Sequence, residues 1–197
     1  MQAHAPRLSS HNDLYLAWQV LRREQPGLRA RDAAEQLAVS EAELTASRLQ
    51  TDALRLRPEW AALLPALGEL GYIMALTRNQ HCVHERKGYY RDVTVMASGQ
   101  MGLVVSADID LRLFLGGWAS VFAIEEQTSR GTQRSIQVFD RQGTAVHKVF
   151  LTAESQLSAW EPLLERFRAA EQSPELGLQA PVEASPVKAD SDIDLAG

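Results

Sequence analysis

The spacing of apolar residues along the 197-residue chain changes character once, near residue 71. Upstream the period is helical. Leu14, Trp18 and Leu21 recur at helical spacing, Asn12 or Asp13 can cap that segment, and Pro26-Gly27 stops it. Residues 29–44 read as two short helices, the second capped by Ser40, with Glu43 three positions on completing a capping box. Pro58 opens a further helix that buries Trp60, Leu63, Leu64, Leu67 and Leu70 and ends at Gly71.

Downstream the period is two. Strands are expected at 72–78, 81–85, 89–96, 101–106, 111–115, 118–126, 133–140 and 145–152. Turn chemistry separates them at Lys87-Gly88, Ala97-Ser98-Gly99, Gly116-Gly117, Ser129-Arg130-Gly131 and 140–143. A last helix over about 153–170 would bury Leu157, Trp160, Leu163, Leu164 and Phe167. The pattern predicts an α+β fold: a large antiparallel sheet of about eight short strands, arranged as a meander, with an N-terminal helical subdomain and a C-terminal helix packed on it. Residues 1–12 read as a loose N-terminus, 13–170 as one domain, and 171–197 as an acidic linker or disordered tail rich in Pro, Ala and Ser.

The central run 101–122, MGLVVSADIDLRLFLGGWASVF, organises this picture. In it Leu111, Leu113 and Leu115 share one face of a strand, so Asp110, Arg112 and Phe114 share the other. A guanidinium beside an aromatic ring calls for an anionic partner. That partner is either Asp110 or a neighbouring acid, or it is a ligand.

The net charge of −5 is unevenly placed. From Glu171 onward six acids face one base, Lys188, so the preceding 170 residues are neutral and set up no field for nucleic acid or anionic membrane. A helix-turn-helix reading of residues 29–50 is the sharp alternative, because Ala33, Leu37, Val39 and Leu44 sit where such a motif keeps its packing residues. Against it, the first 60 residues balance eight arginines with eight acids, and the would-be recognition helix begins Glu41-Ala42-Glu43. DNA is therefore not the expected partner. No signal-peptide core and no apolar run near the ~20 residues of a membrane helix is present, and the single cysteine, Cys82, precludes an internal disulfide. A cytoplasmic location is expected.

Chemistry-bearing residues are densest at 77–87, where His81, Cys82 and His84 lie close together. On a strand His81 and His84 would point to opposite faces, whereas Cys82 and His84 would share one, and both are competent iron or zinc ligands. A hydrogen-bonded structural histidine is the plainer reading. His147 carries less information still. No Walker loop, GxGxxG, CxxC, HExxH or GxSxG occurs.

Three long runs together carry a resemblance: ALGELGYIMALTRNQHCVHERKGYY, GQMGLVVSADIDLRLFLGGWASVFAIEE and GTQRSIQVFDRQGTAVHKVFL, with ARDAAEQLAVSEAEL upstream. The sequence resembles the cytoplasmic haem-utilisation, or haemin-degrading, factors from about residue 15 to 171. The resemblance implies one copy of an α+β unit that the family carries twice in tandem, with haem in a cleft to which both copies contribute. Arg112, in IDLRLF, is similar to the arginine that contacts a haem propionate. The family's principal axial histidine lies in the second copy, and no histidine follows His147 here. His84 is then the expected secondary iron ligand, with Cys82 behind it, and Arg112, Phe114 and Arg78 complete the expected haem contacts. The implied function is haem binding and trafficking for iron acquisition, with haem degradation as the alternative. The implied partners are haem, a haem oxygenase or importer, and a second copy of this chain against sheet surface that the missing repeat would leave exposed.

Overall fold

A computed structural model describes residues 10–49, 51–79 and 81–180. Helix α1, His11–Glu24, is capped two or three residues earlier than expected, since Ser10 Oγ accepts the Asp13 amide at 3.1 Å. Its Leu14 and Trp18 pack against Ala33 and Ala34 of α2, Ala30–Gln36, and Leu44 of α3, Glu41–Ala46. The capping box forms: Ser40 Oγ accepts the Glu43 amide at 3.1 Å while the Glu43 carboxylate accepts the Ser40 amide at 2.8 Å. All but one residue of α3 is buried, Glu41 among them. Arg48, just beyond it, is buried too, so the would-be recognition helix α3 has no free face for a DNA groove.

Helix α4, Trp60–Ala66, begins two residues after Pro58 and tightens into a 3₁₀ turn, Leu67–Leu70. Leu63, Leu64, Leu67 and Leu70 are buried as the periodicity requires. Gly71 ends it at φ +75°, a left-handed conformation that favours glycine.

Among the described residues nine strands follow the helical entry, one more than expected, and they form two sheets. Strand β1, Ala53–Leu56, is the addition. The others are β2, Gly71–Arg78; β3, Val83–Tyr89; β4, Val93–Val95; β5, Met101–Val105; β6, Asp110–Phe114; β7, Trp118–Thr128; β8, Gly131–Asp140; and β9, Ala145–Ser155. The large sheet has the order β1-β7-β8-β9-β2-β3 and the small one β4-β5-β6, antiparallel throughout. The chain therefore leaves the large sheet after β3, builds the small one, and returns to insert β7–β9 between β1 and β2.

Two turns move from where they were expected. Asn79 Oδ1 accepts the amides of His81 and Cys82, both at 2.8 Å, which places those residues in the β2–β3 turn. Lys87-Gly88 instead continues β3, and at Gly88 a Cβ would come within 2.5 Å of Asp108, so glycine lets the two sheets meet there.

The large sheet is the middle of three layers. Val121, Ala123, Ile136, Val138, Val149, Ile73 and Ala75 face the small sheet, α4 and the last helix, α5, Trp160–Phe167. Their neighbours Phe122, Ile124 and Phe139 face α3 on the other side. Helix α5 starts later than expected because β9 runs on to Ser155. After it the chain returns along the outer edge of β1: Ala169 donates to the Arg55 carbonyl at 3.0 Å and the Gln172 amide group bonds both backbone groups of Arg55. Residues 171–180 carry no helix or strand, yet Leu176 packs against the α3-side core and the Gln179 amide donates to the Arg141 carbonyl at 2.8 Å. Of the expected loose N-terminus, 1–12, residues 1–9 lie outside the described residues, as does the tail beyond 180, while His11 and Asn12 already belong to α1.

Candidate functional site

Alternation along β6 places the central residues. Leu113 faces the core, while Asp110, Arg112 and Phe114 stand on the outer face of the small sheet. Across the ladder Arg112 meets Leu103 and Phe114 meets Met101, so the guanidinium rises from an apolar surface. Phe114 is 72% exposed, an unusual degree for so large an apolar side chain.

Next to this face is a cleft of about 510 Å³, a size typical of small-molecule sites. One wall is Arg112, Leu113 and Phe114 of β6. The back is Gly117 and Trp118, where the chain turns from the small sheet into the large one, with Thr77 of β2 and Val146 of β9. The far rim is the β8–β9 turn, Asp140, Arg141 and Gln142, and Gln179. The lining is more apolar than polar.

Arg112 Nη1 lies 3.2 Å from Asp110 Oδ1, with the two side chains 66% and 59% exposed. Both readings of this arginine thus meet in one place: it has an internal partner, and it borders a cleft. An exposed pair of this kind holds ~0–1 kcal/mol and exchanges partners readily, so an incoming carboxylate can take the guanidinium.

Trp118 is fixed from behind. It meets Trp60 edge-on at 5.2 Å and lies nearly parallel to the His147 ring at 5.9 Å. His147 is 1% exposed, and burial drives its pKa down to about 4 against a smaller opposing backbone contact with Leu76. Its Nε2 lies 3.4 Å from the Tyr90 hydroxyl, whose own pKa burial raises. The imidazole is therefore neutral near pH 7 and serves the cleft as a flat, uncharged backing for Trp118.

The remaining expected residues are dispersed. His84 is exposed on the edge strand β3, directly across the ladder from Thr77, so it projects from the same sheet face one strand outward from the cleft. Cys82 is an exposed free thiol in the β2–β3 turn. Arg78 does not reach the cleft: it leaves the opposite face of the sheet, where its guanidinium lies 3.8 Å from Glu41 Oε2. Trp118, Arg141 and His147 were not legible as site residues. The only hint was an aromatic residue after Gly116-Gly117, and it takes the β2–β9 and β8–β9 pairings to carry the other elements to it.

The fold is an α+β domain of a large and a small antiparallel sheet, and its recess joins aromatic surface to a guanidinium, a lining suited in its chemistry to a flat, anionic molecule. The chain belongs to the haemin-degrading HemS/ChuX domain family, whose pattern matches residues 38–167. It is 44% identical over 175 residues to the hemin transport protein HemS of Yersinia enterocolitica, which spans 87% of this chain and 50% of that protein. Among solved structures, holo-PhuS, a heme-binding protein from Pseudomonas aeruginosa, superposes with a TM-score of 0.90 at 70% identity, covering 94% of this chain and 54% of that one. The heme-degrading enzyme ChuS of Escherichia coli O157:H7 gives a TM-score of 0.81 at 38% identity, over 89% and 52% of the two chains. ChuX shares the fold, at 16% identity and a TM-score of 0.64, and is covered over 97% of its length. The chain thus spans about half the length of HemS, PhuS and ChuS.

Proposed function

We propose that this chain binds haem at the cleft beside β6 and takes part in intracellular haem trafficking for iron acquisition. The observation that supports this most directly is Arg112 standing on an apolar strand face between Phe114 and a recess floored by Trp118, in a member of a haem-utilisation family. The chain's own residues supply two things. Arg112 exchanges Asp110 for a haem propionate, a charge-assisted and geometrically matched bond. Phe114 and Trp118 offer aromatic surface to the macrocycle and remove it from water. His84, on the same sheet face, is the secondary iron ligand toward which the sequence points.

Haem titration tests the reading. A Soret band is expected on addition of haem, weakened in Arg112→Ala and displaced in wavelength in His84→Ala. Spectra unchanged in both variants would remove these residues from the site.

A second reading is favoured by the names that relatives carry, since ChuS at 38% identity is described as a heme oxygenase. If the chain degrades haem, biliverdin-like product and free iron will form with catalase present to consume stray peroxide. A carrier leaves the haem intact under the same conditions. Titrating a chain lengthened by one further domain of ~150 residues would measure what a second repeat adds to affinity.

A further inference from the structure

Behind the cleft lies a run of aromatic rings that haem binding does not call for. Trp118 lines the recess and is partly exposed. Its ring lies 5.9 Å from that of His147 at an interplanar angle of 16°. The Tyr90 ring stands 6.0 Å from His147, with its hydroxyl 3.4 Å from Nε2. Trp60, also partly exposed, meets Trp118 edge-on at 5.2 Å. Tyr90 and His147 are each 1% exposed. Packing alone does not call for a phenol and an imidazole there, since burying each carries a desolvation cost that apolar side chains avoid.

The pair has the parts of a proton-coupled redox site. Burial raises the Tyr90 pKa, which keeps the phenol protonated, and lowers that of His147, which keeps the ring neutral with one nitrogen bare. Losing an electron turns a phenol into a strong acid, so even this weakened base takes its proton. Without a base, oxidation would strand an unpaired cation in the core. The point of entry is equally defined: of the four tryptophans, Trp18 and Trp160 are buried, whereas Trp60 and Trp118 are partly open.

We infer that Trp118, His147 and Tyr90 form a one-electron relay that carries oxidising equivalents from the cleft to a buried tyrosine. Tyr90 gives up one electron, by way of Trp118, to an oxidant in the cleft, haem oxidised by hydrogen peroxide, which is thereby reduced by one electron. The Tyr90 O–H bond breaks and its proton forms an N–H bond at His147 Nε2, leaving a neutral tyrosyl radical beside an imidazolium. Electron transfer falls off steeply with distance, and here each ring adjoins the next. The oxidant rests on the haem reading; the relay itself does not.

Pulse radiolysis of the haem-free protein tests the relay. Azide radicals remove an electron from accessible tryptophan, and absorbance then follows the tryptophan radical as it converts to a tyrosyl radical. A conversion whose rate is independent of protein concentration is expected in the wild type. Tyr90→Phe should abolish it and Trp118→Phe weaken it, whereas Tyr15→Phe, Tyr72→Phe and Tyr89→Phe should leave it in place. His147→Leu should slow it about 100-fold, the lower worth of a positioned base, and remove its slowing in heavy water. His147→Gln, which keeps a polar side chain but no base, repeats that test should His147→Leu melt early. A conversion unchanged in Tyr90→Phe, in Trp118→Phe or in both His147 variants overturns the relay, as does none in the wild type. The role of the cleft is read separately: hydrogen peroxide added to the haem complex before freezing should give a tyrosyl signal in electron paramagnetic resonance that Tyr90→Phe removes. No signal, or one that survives Tyr90→Phe, overturns Tyr90 as the outlet of the cleft. If the wild type binds no haem, the haem reading fails while radiolysis still decides the relay.

Discussion

Two arginine–aspartate pairs in this molecule have the same chemistry and opposite surroundings. On the α3 side of the sheet, Arg48 meets Asp52 through two bonds, Nε to Oδ1 at 2.9 Å and Nη2 to Oδ2 at 2.8 Å, with the arginine side chain 3% exposed. Glu126 lies 3.5 Å from the same guanidinium and also holds Arg22 at 3.0 Å. Burial opposes the Arg48 charge, but the bonds and attraction from Asp52 and Glu126 outweigh it and raise its pKa. Nearby, Lys148 and Arg78 converge on buried Glu41, and there burial prevails and lowers the lysine pKa despite the carboxylate. At the cleft, Arg112 and Asp110 share one longer contact in water. A cation sealed among its partners serves architecture; one left in a weak, solvated pair remains free to meet a ligand.

Removing the partner on each side should separate these roles most sharply. Asp52→Ala leaves a buried guanidinium with only the more distant Glu126, and we expect a loss of about 3 kcal/mol in denaturant unfolding. A loss below ~1 kcal/mol, the worth of a surface pair, would mean that the buried network is no more than a surface pair in disguise.

The pH dependence should be of similar size, and it arises at the back of the cleft. His147 has its folded pKa lowered to about 4 from the ordinary 6.5, so the unfolded chain binds more protons between those values. Stability is therefore complete above pH 6.5 and declines as pH falls toward 4, by roughly 3 kcal/mol from this group. His147→Leu should flatten that part of the stability–pH curve; an unaltered slope would assign the acid sensitivity to other groups.

Ser40→Ala probes local capping within the buried side. It abolishes the bond to the Glu43 amide and should cost about 1 kcal/mol, with the chevron or melt shifted but the Soret titration unmoved. Smallest in stability is Arg112→Ala, expected within ~0.5 kcal/mol of wild type. If Arg112→Ala instead destabilised the fold as Asp52→Ala does, the contrast between architectural and ligand-facing pairs would collapse.

Much of the secondary structure was legible because it depends on neighbours in sequence. The Ser40–Glu43 box and the Leu63–Leu70 stripe each express a period or a cap that acts within a few residues. So does the alternation that puts Arg112 and Phe114 on one face and Leu113 on the other. Boundaries moved where other contacts took over, as when Asn79 held His81 and Cys82 in a turn, or Lys87 and Gly88 paired with Met74 and Ile73 across the sheet so that a presumed turn became strand.

By itself the sequence determined the α+β class, the faces of the central strand, the capping of α3 and the family to which the chain belongs. Only the tertiary structure decided that the strands divide between two sheets and that β9 returns beside β2. It alone sent Arg78 to the buried face while Arg141 and Trp118 came to the cleft. The physical reason is range. Periodicity and capping are set by residues within a turn or a ladder step, whereas a cleft is made where segments as far apart as Thr77, Trp118 and Val146 are drawn together by burying a common core.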